Sequence, residues 1–217
     1  MAYRTTALRI DRDQVLRERI LASALARVVE GGFAALTMQA LAEDVGIATG
    51  SLYRHFHNKG ELAAEVFAIA SQVELDALLL ALRAPGPPAE RLAAGLEQFA
   101  ARAWHSRRLA FALIAEPVEP QVDEQRLLFR EAYAELFGEL LEQGNAAGVF
   151  RVTHLGLTAA CLVGAIAEAL VGPLSPPARA AREAGYPAPS LAEVSQGLVT
   201  FCLRAVGAPL PEKEPQP

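Results

Sequence analysis

Hydrophobic side chains along this chain recur every three to four residues, in runs that clusters of glycine and proline separate. This spacing places apolar residues on one face of a helix. In residues 13–30 the apolar positions are Leu16, Ile20, Leu21, Ala24, Leu25 and Val28. Gly31 and Gly32 follow and are expected to end this helix. Runs of β-branched residues, which strands favour, are nearly absent, so the pattern predicts an all-α fold.

The same spacing predicts about nine helices in all. The later predicted helices cover residues 38–45, 48–56, 58–83, 89–104 with a continuation through 107–116, 123–143, 153–171 and 190–206. The proline-containing stretches 84–88, 117–120 and 173–189 are expected to break helices, because proline fixes φ and lacks a backbone donor. Residues 209–217, PLPEKEPQP, are predicted to be a disordered tail.

Two short predicted helices on either side of residue 46 have the pattern of a helix-turn-helix. Thr37 can cap the first helix by accepting a backbone N–H, and Gly46 can close it at positive φ. Ala42 is small where the two helices would cross. In such a motif the first helix braces the second, which presents its N-terminal residues to the major groove of DNA. Plain packing of a helical hairpin is the alternative interpretation.

The charge is unevenly distributed along the chain, whose 217 residues are 52% hydrophobic and carry a formal charge of −5. Residues 1–60 contain 8 Lys and Arg against 6 Asp and Glu, whereas the remainder contains 12 against 19. A basic head on an acidic body suits contact with a polyanion, although a difference of this size also arises by chance.

Enzymatic and metal-binding motifs are not found in the sequence. Cys161 and Cys202 lie far apart without metal-ligand spacing, which argues against zinc and fits a reducing compartment, with both thiols as apolar packing groups. No nucleophile elbow or phosphate-binding loop appears, so we expect neither catalysis nor a cofactor.

A cytoplasmic location is the simplest expectation. The N-terminus lacks the apolar segment of a signal peptide. Residues 154–172 are nearly uncharged, but they are rich in alanine and glycine and contain Glu168, so they are interpreted as a buried helix and not as a membrane span.

From Gly32 onward, GFAALTMQALAEDVGIATGSLYRHFHNKGEL resembles the N-terminal domain of the tetracycline-repressor (TetR) family of bacterial transcriptional regulators. The matching positions are Gly32, Phe33, Thr37, Ala42, Gly46, Gly50, Leu52, Tyr53, His55, Phe56, Lys59 and Leu62. The resemblance implies a DNA-binding domain in residues 1–60 and an effector-binding and dimerisation domain in residues 61–208. Ala48 departs from the family's commoner serine, and Val45 and Gly60 also differ, so the operator sequence is not predicted.

The resemblance also implies roles for individual residues of the head. Phosphate contacts are expected from Thr37, Tyr53 and Lys59. Base contacts are expected from the start of the second helix, at Thr49, Gly50, Ser51, Arg54 and His55. Phe33, Leu52 and Phe56 are expected to form the core of the head.

The larger domain is expected to hold a hydrophobic effector and to form the homodimer. The effector pocket is predicted at the aromatic residues Phe99, Trp104, Phe111, Phe129 and Tyr133, with Arg102, His105 and Glu116 as possible polar anchors. By the resemblance, the last two helices form the dimer. The small residues Ala159, Ala160, Gly164 and Ala167 of one, and Val199, Leu203 and Val206 of the other, are expected at that interface. Packing of these faces within one subunit is the alternative.

Together these features predict a ligand-responsive regulator, most simply a repressor, that binds a near-palindromic double-stranded DNA operator as a dimer. The alternative is a helical protein-interaction scaffold that does not bind DNA.

Overall fold

The computed structural model describes the backbone of residues 2–208 and the side chains of residues 12–208. The helices are α1 Ala2–Gly31, α2 Met38–Val45, α3 Thr49–Leu52, α4 Lys59–Leu82, α5 Pro88–His105, α6 Arg107–Ile114, α7 Pro120–Ala146, α8 Leu155–Leu174, α9 Pro176–Glu183 and α10 Leu191–Ala205, with one 3₁₀ turn at Phe33–Ala35. The described part of the chain contains no strand, which confirms the all-α prediction. The predicted disordered tail, residues 209–217, lies outside the described residues.

Several helix boundaries differ from the prediction. The predicted helix 48–56 is regular only over Thr49–Leu52, after which the amides of Arg54 and His55 bond to carbonyls three residues earlier. The predicted continuation beyond residue 104 breaks at Ser106, which lies between α5 and α6.

Proline has two roles that the sequence pattern did not separate. Pro120 begins α7 instead of ending a helix, because the first helical residue needs no donor. The proline-rich stretch 173–189 contains the additional helix α9, which Ser175 caps by accepting from the Ala178 amide.

The buried side chains form two clusters. The first belongs to α1–α4 and includes Ile20, Phe33, Leu41, Leu52, Phe56, Leu62 and Phe67. The second is built by α4, α5, α7, α8 and α10 and includes Leu82, Leu96, Phe137, Leu141, Leu162 and Cys202. The helix α4 belongs to both clusters, so the predicted domain boundary at residue 60 falls inside a continuous helix.

The head also packs directly on the body. Ala112 of α6 and Val122 of α7 are fully buried within the first cluster. A Cβ on Gly60, near the start of α4, would lie 2.4 Å from Gln121 Oε1, so α4 and α7 approach closely there. The helices α6 and α7 of the body therefore pack directly against the head.

The helix α8 is long and apolar enough to cross a membrane by length and composition, with mean hydropathy 1.9, and 22% of that stretch is buried within the chain. The prediction of a buried helix therefore holds for only one side of α8. The exposed side carries Leu157, Ala160, Cys161 and Glu168.

The structure corrects the predicted dimer residues. On α8, Ala159 and Ala167 are buried in the chain's own core, and on α10 so are Val199, Leu203 and Val206. They pack within one subunit because α10 lies against α5 and α8, which the sequence pattern could not reveal. The residues that these helices leave exposed include Leu157, Ala160, Gly197 and Phe201, and Phe201 is 60% exposed.

Candidate nucleic-acid interface and cavity

The turn between α2 and α3 is closed by local hydrogen bonds. Thr37 Oγ1 accepts from the Ala40 amide at 3.2 Å and so caps α2. Gly46 adopts the left-handed conformation, with φ 72° and ψ 38°, and its amide bonds back to carbonyls of α2. A residue with a Cβ is strained at this φ, which explains glycine at this position.

A clamp from α1 holds α2 in place. Arg27 Nη2 donates to Asp44 Oδ1 at 2.8 Å and to the Ala40 carbonyl at 3.2 Å. The hydrogen bond from Arg27 lowers the pKa of the Asp44 carboxyl, although partial desolvation opposes this. Arg19 donates to the Val45 carbonyl at 3.1 Å, at the C-terminal end of α2 beside Asp44. These hydrogen bonds from α1 therefore fix the orientation of α2 in the helix-turn-helix.

The residues predicted to read bases lie on α3 and the turn after it. Thr49, Gly50 and Arg54 are exposed, whereas Ser51 and His55 are half-buried. Arg54 Nη2 donates to Ser51 Oγ at 2.9 Å, which orients the guanidinium along the helix surface. Tyr53 is 52% exposed, in contrast to its buried neighbours Leu52 and Phe56.

Gly50 faces open space. A Cβ built on this glycine would have no heavy atom within 4 Å. The fold itself therefore does not require glycine here, and a glycine within a helix costs up to about 1 kcal/mol relative to alanine. The missing side chain leaves the backbone of α3 open to close approach by another molecule.

Lys59 is the exception among the predicted phosphate contacts, because it is paired within the chain. Asn58 caps α4 by accepting from the Glu61 amide at 2.9 Å, which places Lys59 at the first helical position. Lys59 Nζ lies 2.7 Å from Glu119 Oε1, and both side chains are about one-third exposed. Burial is the largest single influence and raises the pKa of Glu119, but the hydrogen bond and the charge of Lys59, together with a backbone hydrogen bond, outweigh it, and the net pKa is lowered.

The segment between α6 and α7, residues 115–119, joins the head to the body, and we refer to it as the junction loop. At one end, Glu116 accepts from the amides of Phe33 and Ala34 at 2.9 and 3.0 Å, which caps the 3₁₀ turn of the head. At the other end, Glu119 holds Lys59. Two carboxylates of one loop therefore bind two different parts of the head.

Arg126 of α7 fixes the junction loop from the body side. Its Nε donates to the Leu113 carbonyl at 3.0 Å, and its Nη2 to the Glu116 carbonyl at 2.9 Å. Burial lowers the pKa of the Arg126 guanidinium from its ordinary value, and Asp123 opposes this. Sequence reasoning missed Arg126 and Glu119, because no local pattern shows which carbonyl or cation a side chain meets across the fold.

A cavity opens between α4, α5, α6, α7 and α8. The centre of a water-sized sphere can move within about 90 Å³ of it, and the total empty space between its walls, with open solvent at the mouth included, is about 850 Å³. Most of its lining is apolar, with Phe67, Leu78, Phe99, Leu113, Phe129, Phe137 and Ile166. Arg126 also lines it, so the cavity and the junction loop share a side chain.

The polar part of the lining contains four charged residues, Glu74, Arg102, Arg126 and Arg130. Arg102 Nε and Nη2 donate to the two carboxylate oxygens of Glu74 at 2.6 and 2.9 Å. Tyr133 OH donates to the Ser71 carbonyl at 3.5 Å, and burial raises the pKa of this phenol well above its ordinary value.

The predicted pocket residues are only partly brought together. Phe99, Phe129 and Tyr133 line the cavity, and Arg102 is one of its polar residues. Trp104 and Phe111 are not in the lining. Trp104 stacks instead with two guanidinium groups, since Arg107 and Arg182 lie 4.8 and 5.8 Å from its ring centroid. Successive residues of a helix are rotated by about 100° around its axis, so neighbouring side chains point in different directions. The aromatic content of the sequence therefore did not show which side chains point into the cavity.

Two predicted polar anchors also lie elsewhere. Glu116 caps the 3₁₀ turn of the head, and His105 is exposed outside the cavity lining. Among the residues whose side chains are described, no three His, Cys, Asp or Glu residues are grouped to hold a metal ion. Cys161 is exposed, whereas Cys202 is buried, which raises its pKa to about 12.

Comparisons with known families match both parts of the chain. The model for bacterial regulatory proteins of the tetR family matches residues 20–66, and that for the C-terminal domain of tetracyclin repressor-like proteins matches residues 85–170. A comparison with curated protein sequences gives no match.

Solved structures share the fold over most of the chain. The transcriptional regulator FadR from Bacillus subtilis in complex with stearoyl-CoA is 16% identical, with a TM-score of 0.68 over 87% of this chain and 98% of that chain. The fatty acid degradation regulator FadR from Bacillus halodurans is 18% identical, with a TM-score of 0.68 over 86% and 94%. Reduced NemR from E. coli is 14% identical, with a TM-score of 0.65 over 89% and 98%. At these identities the likeness concerns the fold alone.

Proposed function

This chain belongs to the tetracycline-repressor family of bacterial regulatory proteins, and from this premise we propose that it represses transcription as an operator-bound homodimer that a small hydrophobic effector releases. Proteins of this family are DNA-binding regulators and not enzymes. A cytoplasmic location, where operator and effector meet, belongs to the same proposal.

The exposed surface of α3 is the observation that carries the proposal. Thr49, Gly50 and Arg54 face solvent together, and Gly50 leaves the backbone open to close approach. Arg54 can donate two hydrogen bonds to the O6 and N7 acceptors of guanine, while Tyr53 and Thr37 are exposed for phosphate contacts. The clamp on α2 supports this role, because base reading needs a rigidly held helix.

The exposed sides of α8 and α10 are proposed to form the dimer. Leu157 and Phe201 are large apolar side chains on two adjacent helices, and they are 66% and 60% exposed. Ala160 and Gly164 on the same side of α8 permit close helix approach. Two heads held in this way would reach successive major grooves about 34 Å apart.

The junction loop is proposed to couple the cavity to the head. Lys59 pairs with Glu119, so the cation proposed to bind phosphate is also bound by the body. An effector that moves Arg126 would shift the carbonyls of Leu113 and Glu116, and with them Glu119 and α4. A shift of the heads by a few ångströms lowers operator affinity, and DNA then weakens effector binding by the same factor.

Selection of bound duplexes from a random DNA pool by the purified protein tests the proposed function. We expect enrichment of a near-palindromic sequence, bound with an affinity that falls steeply as salt concentration rises. The variant Tyr53→Phe, which removes one hydroxyl, should bind the selected duplex more weakly without changing its sequence preference. Failure to enrich any sequence, with no salt-dependent affinity for DNA, would favour the helical scaffold.

A further inference from the structure

We propose that the effector is an amphipathic anion whose apolar body fills the cavity between α4 and α8 and whose acidic group accepts hydrogen bonds from Arg130 at the cavity mouth. This inference rests on the proposed function, since it names the chemical class of ligand that the same cavity binds.

The interior of the cavity favours a ligand with an apolar part. Phe67, Phe99 and Phe129 surround it together with aliphatic side chains from α4, α6 and α8. The empty space between its walls, with open solvent at the mouth included, is about 850 Å³. A ligand that fills this space has one end among the apolar side chains and the other near the exposed Arg130.

The charges on the cavity lining determine which charge the polar end of the ligand should carry. The Glu74 carboxylate is already neutralised by the two hydrogen bonds from Arg102. Arg126 donates to backbone carbonyls and pairs with Asp123 at 2.5 Å. Arg130 has no carboxylate within 4 Å and no hydrogen bond among the described side chains, and it is exposed. One positive charge of the lining is therefore left without an opposite charge.

A ligand with a different head group fits this lining less well. A cation would meet Arg126 and Arg130 and would have to displace Arg102 to reach Glu74. A neutral head group would gain no charge-assisted hydrogen bond, whereas a carboxylate can accept two from one guanidinium.

The position of Arg130 also explains how such a ligand would act. Arg130 lies one helical turn after Arg126 on α7, and both side chains line the cavity. An anion beside them attracts Arg126 away from the carbonyl of Ala112 in α6 and from that of Glu116 in the junction loop. Binding is thereby linked to release of the contacts that Glu116 and Glu119 make with the head.

Three probes with the same chain length test the charge selection. Octanoate, octan-1-ol and octylammonium are titrated into the full-length protein by calorimetry at low salt. We expect octanoate to bind about tenfold more tightly than octan-1-ol and octylammonium to bind most weakly, because a charge-assisted hydrogen bond forms only with the carboxylate. The preference for octanoate should decrease with added salt, since Arg130 is exposed.

The variant Arg130→Gln should lose the preference for octanoate while its affinity for octan-1-ol stays unchanged. Arg12→Gln, which alters an exposed arginine on α1, is the matched control and should keep the preference. Equal affinities of wild type for octanoate and octan-1-ol, or no binding of either, would overturn the inference about the anion. Operator binding in the absence of any probe is measured separately, and only its absence counts against the proposed regulator.

Discussion

Gly50 in the head and Gly144 in the body show how differently the two regions use the same residue. A Cβ on Gly50 would meet no atom within 4 Å, whereas a Cβ on Gly144 would lie 1.9 Å from Phe150 Cδ2. The glycine of α7 is needed for packing inside the chain. The glycine of α3 makes no packing contact of this kind, so its substitution tests whether the open backbone is used in binding.

The same contrast holds for the two regions as a whole. In the head, the proposed functional side chains point away from a small core that α1 and α2 support. In the body, the functional feature is the space that five helices leave between them, and its lining is set by their packing. The functional part of the head is therefore an exposed surface that a packed core supports. The functional part of the body is an empty space whose shape is set by the packing of the helices.

Substitution of Phe201 is expected to have the largest effect on operator affinity, because Phe201 is an exposed residue of the body. Phe201→Asp should place a charge in the proposed dimer interface, convert the dimer to monomers and lower operator affinity by about a hundredfold. Sedimentation measures the association, and the selected duplex measures the affinity. Leu80→Asp is the matched control, since Leu80 is 74% exposed on α4, away from α8 and α10.

Cys161 reports on the same interface, since it lies one helical turn from Leu157 on the exposed side of α8. It should react faster with a thiol reagent in Phe201→Asp than in wild type, whereas buried Cys202 stays unreactive in both. A dimer that persists in Phe201→Asp, with unchanged reactivity of Cys161, would place the interface elsewhere.

The two glycines provide the next test. Gly144→Ala should reduce the free energy of unfolding by about 1 to 3 kcal/mol, because the added methyl group overlaps the Phe150 ring. Gly50→Ala should raise the free energy of unfolding by up to about 1 kcal/mol through helix propensity, while operator affinity falls. Chemical denaturation and operator titration of each variant measure both quantities. Unchanged operator affinity in Gly50→Ala would remove the argument for close approach at α3.

Arg54 separates base reading from phosphate contact. Arg54→Ala should reduce discrimination at one position of each half-site by about 1 to 3 kcal/mol. The paired variant Tyr53→Ala should instead weaken binding to all sequences alike. Competition between matched and mismatched duplexes measures discrimination, and an identical loss for both duplexes in Arg54→Ala would assign it to a phosphate.

The head could be predicted from sequence further than the body, for a physical reason. The cap at Thr37, the turn at Gly46 and the cap at Asn58 depend on residues only a few positions apart. Their geometry follows from local hydrogen bonds, so the exposed face of α3 follows as well.

The cavity depends on contacts between residues far apart in the chain. Phe67 and Ile166, which the aromatic clustering did not select, line it beside Phe99. Likewise the pairing of Lys59 with Glu119 joins positions 60 residues apart. Such contacts depend on the angle at which whole helices pack against each other. The hydrophobic periodicity of a single helix does not reveal that angle.

The pair between Lys59 and Glu119 gives the smallest expected effect. Glu119→Gln should leave Lys59 available for phosphate and raise operator affinity about twofold to threefold, since partly exposed ion pairs contribute about 0.2 to 1 kcal/mol. Because the folded-state pKa of Glu119 is lowered, the pair's contribution to stability is present at neutral pH and is lost as pH falls through that pKa. The difference in unfolding free energy between wild type and variant should therefore shrink at acid pH.

Glu124→Gln is the control for this substitution, since Glu124 is exposed on α7 five residues after Glu119 and forms no ion pair among the described side chains. If the variants Glu119→Gln and Glu124→Gln have the same affinity for the operator, then Lys59 does not exchange between Glu119 and a phosphate of the DNA.

Hydroxyl-radical footprinting of the selected duplex tests the central claim most directly, namely that two copies of the α3 surface contact successive grooves. We predict two protected patches per strand, related by a two-fold axis and centred about one helical turn of DNA apart, and loss of both in Phe201→Asp. A single patch, or uniform protection that does not depend on Phe201, would contradict the account.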